Sequence, residues 1–232
     1  MLSIAFRILL TPFYKKEYVM AGLKKGALQC ALVEAVGTFL LALTVFQTRD
    51  PLAIGLILMA ALYFGAHGHV PYLNSAVSFG EWFSGSINLN DFLVTVAGQV
   101  VGAVGAAILS TRLSDAAPML HGGMKMHMMG LTEVLTTFVF VSVVMAALSH
   151  TDRFKNSDLY GLVIGLTATG LIILGGGMAM FNPAIALGVL IHCKMIGMEG
   201  MQTAQLVVYG LVPFVGAILA VWYHDYVRGM KK

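Results

Sequence analysis

Charge is missing from two long stretches of this chain. Leu159–Cys193 has no Asp, Glu, Lys or Arg over 35 residues, and Pro51–Gly80 has none over 30. A helix crosses a bilayer in about 20 residues, so each stretch is longer than one crossing needs. In each, the apolar run is interrupted near its far end by an asparagine, in Asn74-Ser75-Ala76 and in Asn182-Pro183-Ala184. An Asn-Pro pair continues a helix poorly and starts one well. The pattern therefore predicts a full helix followed by a shorter one that re-enters the membrane from near each asparagine. The spanning segments are Leu28–Gln47, Pro51–His69, Asp91–Thr111, Leu131–Ser149, Leu159–Gly176 and Gln202–His224. The fold class is an all-α membrane protein of six spans plus two re-entrant half-helices. Broken helices that meet inside a bilayer belong to channels and transporters.

Composition agrees. Of the 232 residues, 58% are hydrophobic and 11% charged, against about 25% charged in a soluble domain; the mean hydropathy is +0.84. Cys30 and Cys193 make neither a disulfide framework nor a metal site, and a net charge of +3 does not point to nucleic acid. With six spans both termini share a side. That side carries Arg7, Lys15, Lys16, Lys24, Lys25, Arg153, Lys155, Arg228, Lys231 and Lys232, the other only Arg49, Arg112, Lys125 and Lys194. The positive-inside rule puts the termini in the cytosol or its matrix or stromal equivalent. Residues 1–27 read as an interfacial segment, with a short organellar targeting segment as the alternative. Residues 28–226 form one membrane domain and 227–232 a basic tail.

The domain repeats itself. Glu34-Ala-Val-Gly-Thr-Phe39 resembles Glu133-Val-Leu-Thr-Thr-Phe138, and Gln99-Val-Val-Gly102-Ala resembles Pro213-Phe-Val-Gly216-Ala. The Asn-x-Ala boxes lie between the members of each half. The halves are about 28–111 and 131–226. With three spans each, the second half runs inverted, and the two broken segments face one another.

On these motifs the chain resembles the major intrinsic proteins, the aquaporins and glycerol channels, from about Glu34 to Gly216. Its first box, Leu73-Asn-Ser-Ala-Val-Ser-Phe-Gly80, follows the family's Leu-Asn-Pro-Ala-Val-Thr-Phe-Gly with two changes, one of them Ser75 for proline. The resemblance implies a passive channel for water, glycerol, ammonia, hydrogen peroxide or similar neutral solutes, with no catalysis and no cofactor. It also implies pore-facing amides at Asn74 and Asn182, flanked by Ser75, Ala76, Pro183 and Ala184. Glu34 and Glu133 would hold backbone amides of the re-entrant segments. A tetramer is the usual family assembly.

By family spacing the filter falls on Ile54, on Gly170 or Ile172, on Ala179, and on Ile185, where water-selective members carry an arginine. This apolar set, with the altered first box, looks most like the small basic intrinsic proteins. Exposed carbonyls of 68–73 and 175–181 would line the polar side of the pore, with Gly175-Gly176-Gly177 letting the chain run extended. Aligned dipoles at the half-helix starts would repel cations. Gly98/Gly102 and Gly161/Gly165, four apart, read as close helix contacts.

The stretch 110–130 reads as a pore-mouth loop. Its His121, Met124, Met126, His127, Met128 and Met129 are more simply gap-fillers than ligands for soft metal. His67 and His69 read as packed histidines near the cytosolic mouth. Partners are small solutes, membrane lipid and copies of the chain. The alternative function is a channel fold kept as a scaffold or as a subunit of a larger membrane complex. Met178, Met180 and Phe181 would then plug the lumen.

Overall fold

The computed structural model describes residues 23–48, 50–64, 70–113, 125–148, 159–177, 179–197 and 203–229, without the side chains of 23–25 and 203–204. Residues 23–27, expected in the N-terminal segment, already belong to the first helix. His67, Gly68, His69, His121, Met124, Met178, Arg49 and residues 1–22 of that segment lie outside the described residues. So do the charged residues 153, 155, 231 and 232 used to orient the chain.

Among the described residues eight helices run in order: α1 Leu23–Gln47, α2 Pro51–Phe64, α3 Ser75–Phe83, α4 Leu89–Leu113, α5 Met126–Leu148, α6 Tyr160–Leu174, α7 Pro183–Met195 and α8 Thr203–Gly229. Four of them, α1, α4, α5 and α8, are long and apolar enough to cross a membrane; α2, α6 and α7 are shorter apolar helices. The helix expected from Leu131 starts earlier, at Met126, so Met126, His127, Met128 and Met129 are helical and not loop. The two helices flanking 110–130 consume both ends of the supposed loop.

Helix ends follow local chemistry. The Asp50 carboxylate accepts from the Leu52 amide at 2.8 Å, capping α2, and Asn88 does the same for the Asp91 amide at 3.0 Å, starting α4. After α3, the Ser86 amide donates to the Glu81 carbonyl and Gly85 to Trp82, with Gly85 at φ +78°. After α6 the same pair of bonds recurs, Gly177 to Ile172 and Gly176 to Ile173, with φ of +64° at Gly176 and +78° at Gly177. This is the left-handed glycine stop of a helix. It corrects the expectation for Gly175-Gly176-Gly177, which wind into a turn and do not run extended.

Three helix pairs carry the packing. Parallel α1 and α4 meet at Gly98 and Gly102, where a Cβ would strike the backbone carbonyls of Ala31 and Ala35. Parallel α5 and α8 meet at Gly216, where a Cβ would lie 2.6 Å from the Val134 carbonyl oxygen. Antiparallel α2 and α6 touch through Gly55 and Gly165, with Gly161 against the Tyr63 ring. The Tyr160 hydroxyl donates to Leu62 and the Thr169 hydroxyl to Pro51, each at 3.2 Å, tying α6 to both ends of α2. α1/α4 and α5/α8 are related by the repeat, and α2 faces its own copy, α6. Short helices α3 and α7 enter between these pairs.

Candidate functional site: two asparagines and an apolar cavity

Helices α3 and α7 start facing each other. Asn74 and Asn182 are extended N-caps, with φ/ψ of −153°/120° and −143°/101°. The Asn74 Oδ1 accepts from the Ala76 amide at 2.8 Å and the Val77 amide at 3.3 Å; the Asn182 Oδ1 accepts from Ala184 at 3.2 Å. Their amide nitrogens cross between the halves. Asn74 Nδ2 donates to the Phe181 carbonyl at 2.9 Å, and Asn182 Nδ2 to the Leu73 carbonyl at 2.8 Å. Those carbonyls can be presented because Leu73 and Phe181, each just before its asparagine, take left-handed φ of 55° and 35°. Such backbone is rare outside glycine and costs about 1–3 kcal/mol where it occurs. The last carbonyl of each extended segment thus tethers the other half.

Two buried glutamates hold these segments in place. Glu34 on α1 accepts from the Tyr72 amide at 2.7 Å, the Leu73 amide at 2.8 Å and Gln99 Nε2 at 2.9 Å. Glu133 on α5 accepts from the Met180 amide at 2.7 Å and the Phe181 amide at 2.8 Å. Both are almost wholly buried. The non-helical backbone would otherwise bring uncompensated N–H groups into an apolar interior.

The first box has an extra layer, which the sequence reading missed. The Ser75 hydroxyl donates to Gln99 Oε1 at 2.8 Å, and Gln99 Nε2 also donates to the Ser78 hydroxyl at 2.9 Å. Ser75 additionally restores an N–H that proline lacks, and it points at Asn182 Oδ1, 3.4 Å away. The mirror position of Gln99 is Pro213 in α8. The signal was present in the repeat itself: a polar residue at 75 and another at 99, where the second half has prolines.

Beside the asparagine pair lies a cavity of ≈70 Å³, several times what one water needs. Ile54, Ile172, Ala179 and Ile185 line it together with Asn74 and Asn182; Met180 and Phe181 also face it without filling it. Of the two alternatives on α6, Ile172 is in the wall. Gly170 is exposed, with open space where a Cβ would project, so it has no part in the lining. Two residues of helical rotation separate the faces. Ser75, Ala76 and Ala184 are buried behind the wall, while Pro183 opens α7. Thr48, at the end of α1, is a lining side chain that spacing did not single out. Its hydroxyl accepts from the Asp50 amide at 3.0 Å.

The sequence matches the family model described as "Major intrinsic protein" over residues 49–224. It is 32% identical over 218 residues to glycerol uptake facilitator protein-like 6 of Lactiplantibacillus plantarum, covering 82% of this chain and 93% of that protein. It is 27% identical over 186 residues to a probable aquaporin, AqpM, of Archaeoglobus fulgidus, covering 75% and 74%. The fold is similar to the X-ray structure of the aquaglyceroporin from Plasmodium falciparum, with a TM-score of 0.75 over 87% of this chain and 97% of that one at 19% identity.

Proposed function

The chain belongs to the major intrinsic protein family, and from that premise we propose that it is a passive membrane channel for water and small neutral solutes. The observation that carries this reading is the cavity shared by Asn74, Asn182 and an apolar wall. In the proposed arrangement α1, α2, α4, α5, α6 and α8 span the bilayer, and α3 and α7 enter it from opposite faces as half-helices. Residues 28–226 act as a single membrane domain, with both termini on the cytosolic side.

Each asparagine amide has two N–H groups. One reaches across to a carbonyl of the other half, so the second is left to meet a passing solute. The starts of α3 and α7 add partial positive charge at the same point, which opposes cations and protons. Ile54, Ile172, Ala179 and Ile185 form the filter. With no fixed cation there, it rejects ions through the cost of stripping their hydration. Assembly into a homo-oligomer, the family's tetramer, fits the extensive exposed apolar helix faces.

Stopped-flow flux into proteoliposomes tests the reading, with water, glycerol, ammonia and hydrogen peroxide compared. Asn182→Asp replaces a donor by an oxygen facing the Leu73 carbonyl. It should cut neutral flux about tenfold, the equivalent of one hydrogen bond of about 1.4 kcal/mol. Folded protein that raises the flux of none of the four solutes above that of empty vesicles would sink the proposal. The scaffold alternative draws on the crowding of Met180 and Phe181 at the cavity; it requires zero flux and stable copurification of unrelated membrane subunits.

A further inference from the structure

The repeat places matched residues on either side of the asparagine pair, and their sizes do not match. Seven residues after the buried glutamates come Leu41 in the first half and Phe140 in the second; just before the asparagines come Leu73 and Phe181. All four line the cavity. In the second half the two are aromatic and in contact, with ring centroids 4.9 Å apart and planes at 43°. This is within the favourable range for an aromatic pair.

The two halves also differ where these residues meet the helix before them. Leu73 lies against Gly37 of α1, where a Cβ would collide with the leucine branch. The mirror position of Gly37 is Thr136, which has a Cβ. In the second half the Phe181 ring rests instead on Phe140. The flat rings have few rotamers and give little. Of α5, Phe140 is the residue that reaches the cavity, and the lining also includes Thr48, just past the end of α1.

We propose that Phe140 and Phe181 form an aromatic bar across the lumen at the level of the asparagines and set the size limit of the channel. The bar passes solutes of one or two heavy atoms, such as water, ammonia and hydrogen peroxide, and holds back three-carbon polyols. This rests on the channel reading and adds a size limit at a different level from the Ile54/Ile172/Ala179/Ile185 filter.

The test compares wild type, Phe140→Leu, Phe181→Leu and the double variant, which copies the first half's residues into the second. Water, ammonia and glycerol fluxes are measured in proteoliposomes, with folding checked by gel filtration and circular dichroism. The double variant should gain at least tenfold in glycerol flux while water flux stays level or rises. Phe140→Trp, which thickens the bar, should lower water flux, a change that mere loosening of the fold does not produce. If a leucine variant fails to fold, Phe140→Met, of about leucine's size but flexible enough to fill irregular gaps, softens the bar, and it should raise glycerol flux in the same direction. Conduction by wild type with a glycerol limit unchanged in the folded variants overturns the bar and leaves the channel standing. No flux in wild type or in any folded variant overturns both, because the rings are then not what bars the lumen. A closed wild type opened by the double variant supports the bar.

Discussion

Glu34 and Glu133 each meet two consecutive backbone amides of an extended segment. A carboxylate suits this because both of its oxygens accept; an amide offers one acceptor and sets a donor against a donor. Glu133→Gln should therefore destabilise the protein by about 1–3 kcal/mol, the penalty for a buried donor left unpaired, read as a lower melting temperature in detergent. Ser75 belongs to the same scale. The sequence shows a serine where the family's box has proline, and it could not reveal that the hydroxyl lands on Gln99. Ser75→Ala should cost about 1 kcal/mol, as for one ordinary hydrogen bond. In a Gln99→Leu background the same change should cost close to nothing, a coupling that a double-mutant cycle measures. The isoleucine three places after Asn182 was equally plain in the sequence. Whether position 170 or 172 faces the wall was not, because helix rotation depends on how α6 seats against α2.

Between elements, glycine decides what can approach. Gly102 sits against the Ala35 carbonyl, and Gly55 against Thr169 and Gly165, so added carbon there must push backbone apart. Gly102→Val should destabilise by at least about 1–3 kcal/mol, the usual cost of overpacking. Gly170→Ala, inside a helix and meeting nothing within 4 Å, should leave flux unchanged and raise stability by about 0.4–1 kcal/mol. Thermal unfolding in detergent distinguishes the two sites. The pairs at spacing four were legible as close contacts. Their partners were not: Gly98 and Gly102 meet α1, Gly161 and Gly165 meet α2. The triple glycine shows the opposite failure. Gly-Gly-Gly permits extended backbone and left-handed turns alike, and the open carbonyls at the end of α6 selected the turn.

At the scale of the molecule, the chain is an integral membrane protein whose halves interlock through crossed asparagine–carbonyl bonds at their centre. If the second half is inverted as proposed, tags placed in the 149–158 connection and after Lys232 should face the same compartment in a protease-protection assay. Protection of one with digestion of the other would remove the six-span arrangement. The family and the all-helical class were readable because hydropathy reports solvent: a residue cannot sit in lipid without an apolar side chain, and a broken helix cannot sit there without a cap. The paired boxes and the paired glutamates were readable for the same reason, since a polar group inside an apolar run must have a partner. Partner identity is another matter. Which amide each glutamate meets, which carbonyl each asparagine crosses to, and which rings pair beside the cavity depend on contacts more than 35 residues apart in the chain. Sequence by itself determined which groups need satisfying. Only the tertiary structure decided what satisfies them, because that choice is made by the distance between helices and not by the order of residues.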